Sequence, residues 1–249
     1  METLKTHSES RPCKNCNATI TRELHTYKWR GETFTTSLPE LCPHCQKLED
    51  EEQARRQWRE EREKKWISIV PPLYLHSDIN RFPQPLQDAL ETFDPSSDTG
   101  IGIRGASGTC KTRTAYQFLK KAYFAGYSVE ATTSTKLASI AAGQWDDRPD
   151  PAHFSIIEDS PTIGQSNQKK LAQFARCRWL LIDDIGKEKS TDRSESALYD
   201  ILEERTSSNL PTIWTLNMSA ADLKRRQSKD RSTPILRRLV EFSHVIVLE

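Results

Sequence analysis

The spacing of apolar and polar positions changes character along the chain. Around Thr26, Tyr27, Lys28 and Trp29 it alternates with the two-residue period of a strand, broken at Gly31. Residues 46–66, QKLEDEEQARRQWREEREKKW, contain no Gly or Pro and mix both charge signs at helical spacing. Ala54 and Trp58 share a face there, and Glu–Arg pairs fall three or four residues apart. This predicts a solvated connecting helix, with a partner-docking helix as the alternative, stopped by Pro71 and Pro72. From residue 100 onward short apolar runs alternate with helical periods, as in a parallel sheet flanked by helices. Strands are expected at 101–104, 129–132, 179–182, 212–215 and 245–248. Helices are expected after residue 112 (Tyr116, Leu119 and Tyr123 on one face, stopped by Gly126), at 136–142 and at 195–205. Ser219 reads as the N-cap of another helix, and Thr233-Pro234 as the cap and first-turn proline of a last one.

These changes of pattern divide the chain into residues 1–45, a connector at 46–70 and a larger α/β domain at 71–249. The composition fits that division: 35% of the 249 residues are hydrophobic and 29% charged, with enough Leu, Ile and Val in the second half for a core. Net charge is +1, so no global field draws the chain to nucleic acid, and any such contact needs a local basic patch. The start, METLKTHSESRPC, lacks the apolar stretch of a secretion signal, no run approaches a membrane span, and no lipid-anchor motif is present. A cytoplasmic protein is expected.

Candidate chemistry begins at Gly105-Ala106-Ser107-Gly108-Thr109-Cys110-Lys111-Thr112. The pattern G-x-x-x-x-G-K-[ST] between a strand and a helix is a phosphate-binding loop. Successive backbone N–H groups curl around phosphates and the following helix adds its positive end. Lys111 is expected to neutralise the β- and γ-phosphates of ATP, and Thr112 to hold Mg2+. Cys110 departs from the pattern, standing where glycine lets the backbone approach a phosphate closely, so weakened binding is expected. Leu180-Leu181-Ile182-Asp183-Asp184 supplies the second half of such a site: a buried strand presenting Asp183 to Mg2+ and Asp184 to the attacking water.

The block LLIDDIGKEKSTDRSESALYDILEERTSSNLPTIWTLN, residues 180–217, resembles the corresponding part of DnaC/IstB-type AAA+ ATPases. It carries the aspartate pair, a Gly-Lys-Glu-Lys turn, a Leu-Tyr helix, an Arg, and a Pro-Thr strand ending in Asn. The resemblance covers roughly residues 70–249 and not the cysteine region. It implies an AAA+ P-loop domain without a helical lid, with Asn217 as sensor 1 near the γ-phosphate. It also implies an arginine finger at Arg238, with Arg237 as close rival, completing a neighbouring subunit's site in an ATP-bound homo-oligomer.

Cys13, Cys16, Cys42 and Cys45 form two CxxC pairs separated by residues 17–41. Such knuckles supply four thiolates to structural Zn2+, whose binding would provide much of the folding energy of so small a module. A redox role is the weaker alternative, since neither pair sits in a βαβ context. His44 is read as exposed and Cys177 as a core thiol. Arg22, Lys28, Trp29 and Arg30 would suit DNA or a protein surface equally.

What the resemblance implies is an ATPase of helicase-loader type, acting in DNA replication on a replicative helicase or related replication protein at single-stranded DNA. A transposition helper is the sister reading. The alternative from another class is a zinc-bearing adaptor that holds nucleotide poorly and never hydrolyses it, which Cys110 favours and the intact Lys111, Asp183, Asp184 and Asn217 oppose.

Overall fold

The computed structural model describes residues 2–29, 32–148, 150–153, 161–186, 192–217 and 229–248. It divides into two compact units, Met1–Lys64 and Lys65–Glu249.

In the first unit β1 (Glu2–Pro12) and β2 (Thr19–Trp29) form a long antiparallel hairpin, and β3 (Glu32–Thr35) adds to β2 through Tyr27↔Phe34. The expected strand is therefore present; its break at Gly31 lies outside the described residues. The chain turns between β1 and β2 through Asn17 in the left-handed region, φ 59°, a conformation Asn tolerates better than most side chains. Buried Ile20, Leu24, Leu38 and Leu41 pack with Cys13 and Cys45 as the core of this unit. Four aliphatic side chains are too few to hold a module of this size on their own. Helix α1 (Pro43–Ile69) starts directly after Cys42, three residues before the expected point, with a proline at its first position. It carries exposed i,i+4 pairs such as Glu52–Arg56 at 2.6 Å, as a solvated helix should.

The second unit continues with α2 (Pro72–Leu75), α3 (Gln84–Thr92), β4 (Gly100–Arg104), α4 (Lys111–Phe124), β5 (Val129–Thr133) and α5 (Ser134–Ala142). There follow α6 (Ile163–Arg176), β6 (Trp179–Ile185), α7 (Asp192–Ser207), β7 (Thr212–Leu216), α8 (Lys229–Glu241) and β8 (Ser243–Val247). Among the described residues the strands form one parallel sheet in the order β5-β6-β7-β4-β8. Strand residues alternate between two cores. Trp179, Leu181 and Ile213 face the α3 and α4 side, while Leu180, Ile182 and Trp214 face α5, α7 and α8. Gly102 lies opposite Trp214 in the ladder, and a Cβ there would stand 2.2 Å from the indole, so the ring needs a glycine beneath it.

All five expected strands and the helices after residue 112, at 136–142 and at 195–205 are found, with ends shifted by at most three residues. Three points differ. Helix α6 was not expected; its run is too polar to draw attention, although Thr162 and Gln165 form a complete capping box. Strand β6 continues past 182 to Ile185, so both aspartates lie inside it. Helix α8 starts at Lys229 and contains Pro234, which was expected at its first turn. Proline's fixed φ suits a helix, but inside one it removes a backbone hydrogen bond and crowds the carbonyl four residues before it. Ser219 and the Lys187–Lys189 part of the turn lie outside the described residues.

Arg205 ties several elements of this unit together. Fully buried on α7, it donates to the carbonyls of Phe174, Cys177 and Arg178 at 2.9, 2.8 and 3.2 Å, to that of Pro211, and to Thr212 Oγ1 at 2.9 Å. Cys177 is a core thiol, as expected; burial raises its pKa.

Candidate nucleotide-binding site

Strand β4 ends at Arg104, and the loop 105–110 leads into α4 at Lys111. Gly105 N–H donates to Leu216 O at 3.3 Å, anchoring the loop to the end of β7. Gly108 has φ 87°, a turn that only glycine makes without strain. Cys110 has φ 62° and ψ 10°, also left-handed. The glycine of the pattern thus has a second purpose besides close approach to phosphate: this position needs a conformation that a Cβ disfavours. Sequence inspection gave only the steric half of the reason.

Lys111 is buried, its ammonium folded onto the loop against Ala106 O and, at 3.3 Å, Thr109 Oγ1. Burial lowers its pKa, and the charges of Asp184 and Asp183 oppose that. Thr112 donates to Asp183 Oδ1 at 2.9 Å, so the loop and the acidic strand are already joined. Asp183 is buried; burial raises its pKa, hydrogen bonds from Thr215 and Thr112 pull it down, and neighbouring Asp184 pushes it up, with a net rise. Asp184, with φ 57°, accepts a hydrogen bond from Asn217 Nδ2.

A cleft of about 280 Å³ opens over these groups, walled by Leu73 and Tyr74, by loop residues Ser107 to Thr112 with Arg113, and by Asp184 and Asn217. Arg113 lies over the Tyr74 ring and donates to Leu73 O at 3.3 Å, and Tyr74 stacks on Tyr116 at 5.0 Å. A larger groove, about 410 Å³, lies along α6 and α7 and has none of the phosphate-loop residues.

The fold thus brings together the loop residues, Asp183, Asp184 and Asn217, far apart in sequence. Arg238 is not among the residues that wall this cleft. It lies 4.5 Å above the Tyr199 ring on α7 and pairs with Glu203, while Arg237 is exposed and pairs with Glu241 at 2.9 Å. Sequence reasoning missed Thr215 and Ser134, described below. Thr215 was findable: it closes the expected strand 212–215, two residues before Asn217.

In the first unit one sulfur from each of Cys13, Cys16, Cys42 and Cys45 lies within 4.8 Å of the others, and all four are free thiols. Cys16 and Cys42 sulfurs are 3.6 Å apart, close to the ~3.8 Å edge of a tetrahedron with Zn–S bonds of about 2.3 Å. The Cys42 N–H lowers the Cys13 thiol to about 6, whereas neighbouring thiols, Cys16 first, push Cys45 up to about 12. One thiolate thus forms readily and a second resists ionising beside it; a bound cation would offset that repulsion.

No protein-family model matches the chain, and no curated protein matches it. Solved structures do. The DnaC helicase loader is 20% identical, with 75% of this chain and 99% of that one covered and a TM-score of 0.52. DnaI is 16% identical, with 72% and 92% covered and a TM-score of 0.52. AMPPCP-bound DnaA from Aquifex aeolicus is 16% identical, with 72% and 51% covered and a TM-score of 0.52. The chain spans about half the length of the replication-initiation structures it matches. The parallel sheet and its helices are therefore an AAA+-type fold, with a four-cysteine cluster in the separate N-terminal unit.

Proposed function

We propose that the protein binds ATP with Mg2+ and hydrolyses it. The observation that carries this reading is the chain of hydrogen bonds from Thr112 through Asp183 and Thr215 to Asp184 and Asn217, at the mouth of the loop that ends in Lys111. In this reading the loop 105–112 holds the phosphates, with Lys111 countering their charge. Thr112 and Asp183 hold Mg2+, which when bound neutralises charge on the phosphates. Asp184 orients the attacking water and takes up its proton, with Asn217 fixing the carboxylate. The four cysteines hold a structural Zn2+.

The likeness to the DnaC helicase loader and DnaI supports a role in DNA replication, assembling on a replicative helicase or related protein at single-stranded DNA. A homo-oligomer in the ATP state, with Arg238 reaching a neighbour's site, and a cytoplasmic location belong to the same reading. No helix among the described residues is long and apolar enough to cross a membrane.

A second reading, a zinc-bearing adaptor that does not hydrolyse nucleotide, is favoured by the left-handed Cys110. Titration with ATP and Mg2+, followed by turnover of the wild type, Lys111→Ala and Asp184→Asn, decides between them. The ATPase reading requires binding that Lys111→Ala abolishes and turnover that Asp184→Asn abolishes. Weak binding without turnover in the wild type supports the adaptor, and absence of binding defeats the ATPase reading. Proteins that co-purify in the presence of ATP then test the replication role: capture of a hexameric helicase supports it, and capture of a transposase would move the protein to the other class.

A further inference from the structure

Strands β6 and β7 run in register to Ile182↔Trp214 and resume at Ile185↔Leu216. Asp183 and Asp184 therefore stand opposite a single residue, Thr215. A bulge of this kind interrupts the ladder and leaves peptide groups that must find other partners. Here two buried hydroxyls take that part for Asp184. Its N–H donates to Thr215 Oγ1 at 2.8 Å, and its carbonyl accepts from Ser134 Oγ at 2.6 Å. Thr215, with no exposed surface, uses its own proton on Asp183 Oδ1 at 2.6 Å. One hydroxyl thus fixes the side chain of the first acid and the backbone of the second.

The geometry points to Thr215 as a positioning residue that sets both acids at once. This rests on the nucleotide reading above and extends it to a residue with no reacting atom of its own. A hydroxyl has one proton to give, so the bond to Asp183 leaves its lone pairs for the Asp184 amide, and the two contacts hold each other in orientation. Thr112 meets the same Oδ1 from the loop side, so the Asp183 carboxylate is held from two elements. Asp184 is kept at φ 57°, where its carboxylate meets Asn217. Left-handed residues away from glycine persist only where the surroundings impose them, and they gather at functional sites. Valine keeps the shape of Thr215 and loses both bonds; serine keeps both.

The test compares wild type, Thr215→Val and Thr215→Ser in binding a fluorescent ATP analogue, in EDTA and in Mg2+, together with turnover and amide exchange at residue 184. The valine variant should bind in EDTA as the wild type does, because the loop is untouched. It should lose the Mg2+-dependent gain and about 10- to 100-fold of turnover, the size expected when a hydrogen bond to a charged group is removed. Exchange at residue 184 should speed up, and serine should restore all three. Wild-type Mg2+ response and turnover in the valine variant would overturn the assignment alone. A wild type indifferent to Mg2+ would overturn it together with the nucleotide reading. If the valine variant does not fold, Thr215→Ala against Thr215→Ser carries the same comparison.

Discussion

Arg238 on α8 holds its guanidinium carbon over the ring of Tyr199 on α7, 4.5 Å from its centre, and donates to its hydroxyl at 3.1 Å. The guanidinium also pairs with Glu203 one turn further along α7. A stacked, paired arginine stabilises the packing of these two helices, and a finger acting on a neighbour would have to leave that position. Arg238→Ala should therefore lower thermal stability, by about 0.5–2 kcal/mol for the stacking contact, and abolish turnover while ATP affinity stays nearly unchanged. Mixing it with Lys111→Ala, which lacks nucleotide binding but offers its arginine, should restore part of the activity. Arg237→Ala should leave stability unchanged, since that side chain is exposed. If Arg237→Ala removes turnover instead, the finger moves by one residue. Lost stability with normal turnover in Arg238→Ala would leave that arginine a purely structural contact.

Cys110→Gly should act in two separable ways. Relief of the left-handed conformation should stabilise the fold by about 1 kcal/mol, or about 2–4 °C in Tm for a chain of this size. Removing the side chain beside the phosphates should tighten ATP binding by on the order of 1 kcal/mol. Thermal unfolding without nucleotide reads the first effect and titration the second. A glycine variant no more stable than the wild type would show that the loop relaxes around cysteine.

Asp183 should make the nucleotide-free protein less stable at neutral pH. Its pKa is raised in the folded state, chiefly by burial, so its favourable contribution is present below the unfolded value and lost as pH rises through the raised one. Asp183→Asn keeps an oxygen for Thr112 and Thr215 and removes the buried charge. It should melt at a higher temperature than the wild type at pH 7. The difference should shrink as pH falls through the raised value and level off below about 4, where the unfolded carboxylate also takes up its proton. Equal melting temperatures at pH 7 would mean that the two hydroxyls fully offset the burial.

The cysteine cluster makes a stoichiometric claim. Elemental analysis of purified protein should find about one Zn per chain, and chelation should unfold residues 1–45 while the second unit keeps its own melting transition. Metal-free protein with an intact hairpin would refute the site.

What could be read from the sequence was what is contiguous in it. The loop 105–112, the aspartate pair and the alternation of strand and helix each occupy one stretch, and local chemistry specifies them. The left-handed backbone of Cys110 needed the loop's actual path. The bulge needed the pairing of β6 with β7, since nothing within residues 179–185 tells how many residues of the next strand they face. Tyr199 and Glu203 stand four apart on α7 and share a face, but their partner Arg238 comes from a helix nearly forty positions on. Helix α6 was overlooked for want of apolar residues, although its capping box is plain in the letters.

The buried guanidinium of Arg205 has a mechanical consequence. It grips the end of α6, the residues entering β6 and the turn into β7 through contacts that lysine, with a single nitrogen, could not reproduce. Two neighbouring strands fastened at their starting ends resist sliding past each other. If nucleotide changes the shape of this unit, the acids of β6 and Asn217, just past the end of β7, should move together, with the hinge outside the β6–β7 pair.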